Sequence, residues 1–210
     1  EPALNKNKVV AGGIYTEADA SGDIHKYCVN LGHVLSSKYG VKFKFNEQVK
    51  DIHGLDAPIV STNKEDIPFD KVIICAGVKT QEFRNKFGDN FRIYPVKGYS
   101  ITIDLYDEIS RNAAPYVSIK DDNSKIVSSR LGNRLRVAGT AELAGENKKI
   151  RKERITPLVA WVNDCFPEIN TDNCITWAGL RPMTSDMVPI MKESKRKNVF
   201  YNSGHGHLGW

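Results

Sequence analysis

Val72-Ile73-Ile74-Cys75-Ala76-Gly77-Val78-Lys79-Thr80 is the stretch on which the fold turns. A short apolar run that stops at a glycine predicts a strand buried on both faces of a largely parallel sheet, and a short helix starting near Thr80 covers it. A glycine at a strand-to-helix crossing lets the backbone approach a phosphate or ribose, with the helix N-terminus nearby to favour negative charge. A tight turn that needs no ligand is the competing explanation. This crossing carries neither GxGxxG nor GxxxxGK[ST], so its pattern alone makes no case for a dinucleotide site.

Upstream of this stretch, Asp19 to Asp23 is a polar start signal. Ile24, Tyr27, Cys28, Leu31, Val34 and Leu35 follow at helical spacing until Gly40, which predicts an amphipathic helix. Val41, Phe43 and Phe45 alternate with Lys42, Lys44 and Asn46, the pattern of a half-buried strand, and Pro58 to Thr62 reads as a short strand among turns. Downstream the period changes. From Phe91, Ile93, Pro95, Tyr99, Ile101, Ile103 and Leu105 share one parity, and short runs at Tyr116 to Ile119, Lys125 to Leu131 and Arg134 to Ala138 are separated by Asp121-Asp122-Asn123 and by Gly132-Asn133, a two-residue hairpin signal. These predict an antiparallel sheet. Thr156-Pro157 fits an N-cap with proline at the first helical position, opening a helix that stops at Pro167, and the basic run Lys148 to Arg154 reads as its solvated approach. The fold class is therefore α+β, with a mixed α/β layer interwoven with an antiparallel sheet.

Composition bounds the function. The chain has 210 residues, 40% hydrophobic and 26% charged, and a mean hydropathy of -0.40, the balance of a globular protein with a real core. No run approaches the length of a membrane span, and the first residues carry no signal-peptide pattern. A formal charge of +5 comes from Lys and Arg scattered among acidic residues, which argues against a nucleic-acid partner. Cys28, Cys75, Cys165 and Cys174 form no CxxC pair, so they read as reduced thiols in a cytoplasmic setting, and no metal site is predicted. A chain that opens without Met and ends just after a glycine-rich run reads as part of a longer one.

Three segments beyond the opening one could carry chemistry. In Trp177-Ala-Gly-Leu-Arg-Pro-Met183 a lone Arg181 sits among apolar and small residues; its planar fork suits a substrate carboxylate or, equally, an internal ion pair. In Tyr94-Pro-Val-Lys-Gly-Tyr-Ser100, Tyr99 lies on the apolar parity and reads either as packed core or as a pocket wall. In Gly204-His-Gly-His-Leu-Gly-Trp210 two histidines at i and i+2 make no metal site, whereas the backbone amides of a glycine-rich turn can stabilise a developing negative charge. No side-chain general base suggests itself, and no catalytic residue is nominated.

Tyr94-Pro-Val-Lys-Gly-Tyr-Ser-Ile-Thr102, Gly179-Leu-Arg-Pro-Met-Thr184 and Asn202-Ser-Gly-His-Gly-His-Leu-Gly-Trp210, in this order and at these separations, resemble the bacterial FAD-dependent D-amino acid dehydrogenases. These lie within the broader superfamily of D-amino acid, glycine and sarcosine oxidases. The resemblance covers essentially the whole chain. It implies an incomplete FAD/NAD(P)-binding, Rossmann-like domain, residues 16–90 and 184–210, interwoven with an antiparallel-sheet substrate domain, residues 1–15 and 91–183. Members of the family are longer, with an N-terminal βαβ unit bearing GxGxxG and a C-terminal helix. Carried over residue by residue, the resemblance places the backbone of Val49 against adenine. It puts Ala76 and Gly77 near the ribose and pyrophosphate, and Gly204, His205, Gly206, Leu208 and Gly209 near the flavin ring. Arg181 matches the arginine that holds the substrate carboxylate, and Tyr99 lines the pocket. His207, where Thr is expected, and Met187-Val188, where Gly-Thr is usual, depart from the pattern.

The activity so implied is oxidation of a D-amino acid by hydride transfer to FAD, giving a 2-oxo acid and ammonia. Electrons would pass to a quinone or electron-transfer-chain acceptor, from a cytoplasmic enzyme peripheral on the inner membrane. On this reading the 210-residue chain alone neither retains FAD nor turns over. An oxygen-using glycine or sarcosine oxidase relative and a noncatalytic folded module are the alternatives.

Overall fold

The computed structural model describes residues 1–8 and 10–207. In chain order the elements are α1 (Ile24–Tyr39), β1 (Val49–His53), β2 (Ile59–Thr62), β3 (Asp66–Pro68), β4 (Val72–Ile74), α2 (Thr80–Phe87), β5 (Tyr94–Asp104) and α3 (Glu108–Ala113). There follow β6 (Ile119–Asp121), β7 (Ile126–Arg130), β8 (Arg134–Glu142), α4 (Lys152–Cys165), β9 (Ile175–Met183), β10 (Ile190–Glu193) and β11 (Val199–Ser203). Among the described residues these strands form a five-stranded sheet in the order β6-β7-β8-β5-β9 and two three-stranded sheets, β1-β2-β3 and β10-β11-β4. The segment from Phe91 onward and the strand Val72–Ile74 thus lie in different sheets, as the change of period predicts.

The chain divides into two compact units. One comprises Glu1–Tyr39, Lys97–Glu142 and Asn147–Gly179. Its five-stranded sheet pairs β6 with β7, β7 with β8 and β8 with β5, all antiparallel. Tyr99, Ile101 and Ile103 alternate inward along β5 and meet Leu135 and Val137 from β8. The apolar stripe of α4, Ile155, Leu158, Trp161, Val162 and Cys165, is buried with them. The close approach of α4 has a visible cause: a Cβ on Gly139 would stand 3.1 Å from Leu158 Cδ2 and 3.2 Å from Ile126 Cγ1. The Gly132-Asn133 hairpin forms as expected, with Gly132 at φ +64 and the Leu131 amide donating to the Arg134 carbonyl at 2.7 Å.

The second unit comprises Gly40–Val96, Leu143–Glu146 and Leu180–Trp210, of which 208–210 fall outside the described residues. β4 and β11 run parallel, with Phe200 opposite Ile73, and β10 is antiparallel to β11. Ile74, Val199 and Tyr201 are buried together with Ile52 and Val60, and Phe83, Phe87 and Phe91 pack against them.

Four elements differ from the sequence reading. Val41 to Phe45 is not a strand: nothing among the described residues pairs with it, the chain turns at Phe45-Asn46, and the Phe43 and Phe45 rings stack at 5.6 Å. α4 begins at Lys152, so Pro157 sits inside the helix rather than at its first position, and part of the basic run is helical. None of α1 is buried, although its apolar residues fall at helical spacing; Tyr27 is 53% exposed. β4 is buried on one face only, with Ile73 64% exposed. The packing also groups 16–39 with the larger sheet and 180–183 with the β4–β11 sheet.

Candidate functional site

The second unit gathers several of the singled-out residues. Because β4 and β11 are parallel, both point their C-terminal ends the same way, and the segments that follow them, Cys75–Gly77 and Ser203–Gly206, meet. The Ser203 hydroxyl donates to the Gly77 carbonyl at 3.1 Å and accepts from the Thr80 hydroxyl at 2.9 Å, with Ser203 and Thr80 both buried. Gly77 adopts φ +56, and a Cβ there would meet nothing within 4 Å. Its glycine is required by backbone conformation, and it leaves bare main chain at the end of a parallel strand. Such a position suits a ribose or pyrophosphate, so the residues present fit that part of a dinucleotide.

The glycine-rich turn is fixed from a second side. Beyond Ser203 the amide of Gly206 donates to the carbonyl of Pro182 at 2.9 Å, and Met183 forms an isolated antiparallel bridge with His205. The turn is therefore fastened to the last residues of β9, directly after Arg181. Gly204 (φ +78) and Gly206 (φ +61) are both left-handed. A Cβ on Gly204 would lie 2.9 Å from Thr184 Cγ2, and one on Gly206 2.7 Å from Met183 Sδ. The left-handed backbone calls for glycine at both places, and at Gly204 the packing against Thr184 adds to it.

Arg181 is partly buried on β9, and burial pulls its guanidinium below its usual basicity. A cation held partly out of water on a strand fastened to a rigid turn is suited to a carboxylate, because desolvation strengthens each charge-assisted hydrogen bond. Val49 lies apart, exposed at the start of β1 and paired with Thr62. Ala76 is exposed, His205 partly buried and His207 exposed, while Leu208 and Gly209 lie outside the described residues.

Tyr99 belongs to the other unit and is 1% exposed. Its hydroxyl donates to Glu142, which also accepts from Arg151 Nη1 at 2.7 Å and faces the Lys97 ammonium at 3.7 Å. Lys97, itself fully buried, lies 5.0 Å above the Tyr99 ring. This is the geometry of a packed core tyrosine.

Sequence reasoning missed the carboxylate after α2 that ties down β11 and the loop between β10 and β11. Asp89 is buried at 5% exposure and accepts from the Ser194 hydroxyl, from the Lys195 amide at 2.8 Å and from the Tyr201 hydroxyl at 2.7 Å. Burial works against its charged form, yet these donors prevail and hold the carboxyl below its ordinary range. Nothing local in the sequence marks Asp89, since its partners stand more than 100 residues away.

With this geometry in hand, similarity to known proteins becomes informative. The family model described as DAO, FAD dependent oxidoreductase, matches residues 1–210. The chain belongs to the DAO family. A D-amino acid dehydrogenase of Mesorhizobium japonicum is 46% identical over the whole chain, which covers 52% of that protein. One from Neisseria meningitidis is 37% identical, again over the whole chain and 50% of the relative. The chain thus spans about half the length of the curated relatives it matches, and the resemblance to D-amino acid dehydrogenases holds. Among solved DAO-like folds, glycine oxidase from Bacillus cereus aligns with a TM-score of 0.64 at 23% identity, over 78% of this chain and 45% of that one. L-proline dehydrogenase from P. horikoshii aligns at 0.71 and 15%, over 85% and 49%. At those identities the likeness speaks for the α+β fold.

Proposed function

We propose that this DAO-family chain supplies the carboxylate anchor and part of the flavin-facing wall of an FAD-dependent D-amino acid dehydrogenase. The observation that supports the reading most is the Gly206 amide bonded to the Pro182 carbonyl, which ties the strand of Arg181 to the glycine-rich turn. Arg181 binds the substrate carboxylate through two parallel hydrogen bonds and so fixes the α-carbon. The bare backbone at Ala76 and Gly77 receives the ribose and pyrophosphate, and Val49 meets the adenine through its main chain. Gly204, His205 and Gly206 face the ring, and Leu208 and Gly209 lie outside the described residues. Tyr99 contributes through packing.

When bound, FAD supplies the two-electron acceptor for the hydride that leaves the α-carbon. A substrate arriving with a neutral amine needs no side-chain base: as the hydride departs, the nitrogen lone pair forms the carbon–nitrogen double bond. Water then hydrolyses the imino acid to a 2-oxo acid and ammonia. Electrons go on to a non-oxygen acceptor of the quinone class, from an enzyme on the cytoplasmic side that touches the inner membrane peripherally. The relatives' printed name, dehydrogenase, supports an acceptor other than oxygen.

The test is turnover by the whole protein with a panel of D-amino acids and an artificial electron acceptor, alongside a peroxide assay. Acceptor reduction without peroxide is the expected result. Peroxide in proportion to substrate consumed, or no reaction with any D-amino acid, overturns it.

A further inference from the structure

Among the described residues Met183 belongs to neither hydrophobic core, although it is only partly exposed. Alternation along β9 sets it on the same face as Arg181, two residues and about 7 Å farther on. Its side chain rests on the glycine-rich turn: a Cβ on Gly206 would meet the thioether sulfur at 2.7 Å and the terminal methyl at 3.5 Å. The main chain around it is pinned. The Pro182 carbonyl accepts from the Gly206 amide at 2.9 Å, Met183 bridges His205, and Thr184 is buried with its methyl against Gly204. Only the side chain is left to move, and an unbranched thioether with three rotatable bonds adapts its shape readily. The surface that Met183 and Gly206 make also has no amide to offer a polar group, because the Gly206 N–H is spent on Pro182.

We propose that Met183 is the wall that reads the substrate's side chain, and that the site takes D-amino acids with apolar side chains over a range of lengths. The proposal rests on the reading of Arg181 as the carboxylate anchor. With the carboxylate held there, the step along β9 from Arg181 to Met183 matches the reach of an amino acid from its carboxylate to the far end of a short side chain. A methylene chain gains by leaving water for the thioether. A charged or amide head finds no donor there and forfeits its hydration. The range of lengths follows from the thioether, which swings to meet a short chain or to make room for a longer one.

Titration of the whole, flavin-loaded protein with straight-chain carboxylic acids of rising length, read as the change in the oxidised flavin spectrum, tests this without turnover. In the parent each added CH2 should tighten binding about fourfold until the chain has filled the space before Met183, where the gain stops. Met183→Ala should extend the gain by about two or three carbons, the room that the variant vacates. Met183→Leu conserves volume and should stop at the parent's length. A gain that stops at the same length in Met183→Ala as in the parent overturns the proposal. So does an equal loss of affinity at every length, which would make Met183 a brace for the turn and nothing more. A dicarboxylate that binds as tightly as the monocarboxylate of equal length overturns the apolar assignment. If no carboxylate of any length changes the flavin spectrum, the reading of Arg181 as the anchor fails first and the proposal falls with it.

Discussion

The amide of Gly206 donates to the carbonyl of Pro182 at 2.9 Å, and this one bond makes the glycine-rich turn and the strand of Arg181 a single structural piece. Its neighbours repeat the message, with Met183 bridged to His205 and Gly204 set against Thr184. Any change that loosens the turn should therefore disturb substrate anchoring as well.

Gly204→Ala tests that coupling. The new Cβ would sit 2.9 Å from Thr184 Cγ2 at a φ of +78. Left-handed strain alone costs about 1–2 kcal/mol, and the collision adds to it. We expect a lower melting temperature together with a raised KM for substrate. Thr184→Ser in the same chain should recover the steric part and leave the strain, which a double-mutant cycle on thermal unfolding would separate.

Gly77→Ala separates folding from cofactor contact. Among the described residues nothing crowds that Cβ, so only the backbone term, about 1–2 kcal/mol, should appear in the melting curve. In the whole protein the added methyl stands where ribose or pyrophosphate approaches. Flavin content after dialysis should fall far more than stability does.

Asp121 predicts an acid-sensitive hairpin. The Ser124 amide and the Trp161 indole, with further donors from the same turn, push its carboxyl down to about 2. A folded pKa below the unfolded value of 3.8 contributes stability that is complete above pH 4 and lost as the pH falls toward 2. The stability gap between the parent and Asp121→Asn should narrow across that window. Thermal melts at stepped pH would show it, and a Trp161 fluorescence shift should accompany the change.

The Tyr99–Glu142 cluster predicts an asymmetry. Tyr99→Phe removes one donor and leaves Arg151 and Lys97 facing the carboxylate, at a cost of about 1.5–3 kcal/mol. Glu142→Ala strands the buried Lys97 ammonium and should lower the melting temperature much further, because an uncompensated buried charge is the expensive outcome. Were Tyr99 acting chiefly on substrate, Tyr99→Phe would instead raise KM at unchanged stability.

What the sequence made legible follows from the range of each signal. Period-2 alternation on β5 and the Gly132-Asn133 turn are local, and both elements formed where expected. α1 formed for the same reason, with Asp23 bonding the Lys26 amide at 3.2 Å near its start. Val41 to Phe45 carried equal alternation and made no strand, since a strand also needs a neighbour that local pattern cannot supply. α3 went unread because six residues hold too little periodicity; only the Asp107 cap, accepting from the Ser110 amide at 2.6 Å, marks it. In the candidate site, Gly77, Gly204 and Arg181 stood out as residue types in context. Asp89, Ser203 and Thr80 did not, because their partners come from distant parts of the chain.

The most direct test of the account is anaerobic reduction of the flavin in the whole protein by a D-amino acid, compared between the parent and Arg181 variants. If Arg181 anchors the carboxylate, Arg181→Ala and Arg181→Lys should keep their flavin absorbance and their fold. Both should lose about 3–5 kcal/mol of transition-state stabilisation, which is on the order of a hundred- to several-thousand-fold in kcat/KM. Lysine fails because a point charge does not reproduce the planar fork. Flavin bleaching in Arg181→Ala at the rate and substrate concentration of the parent would contradict the account.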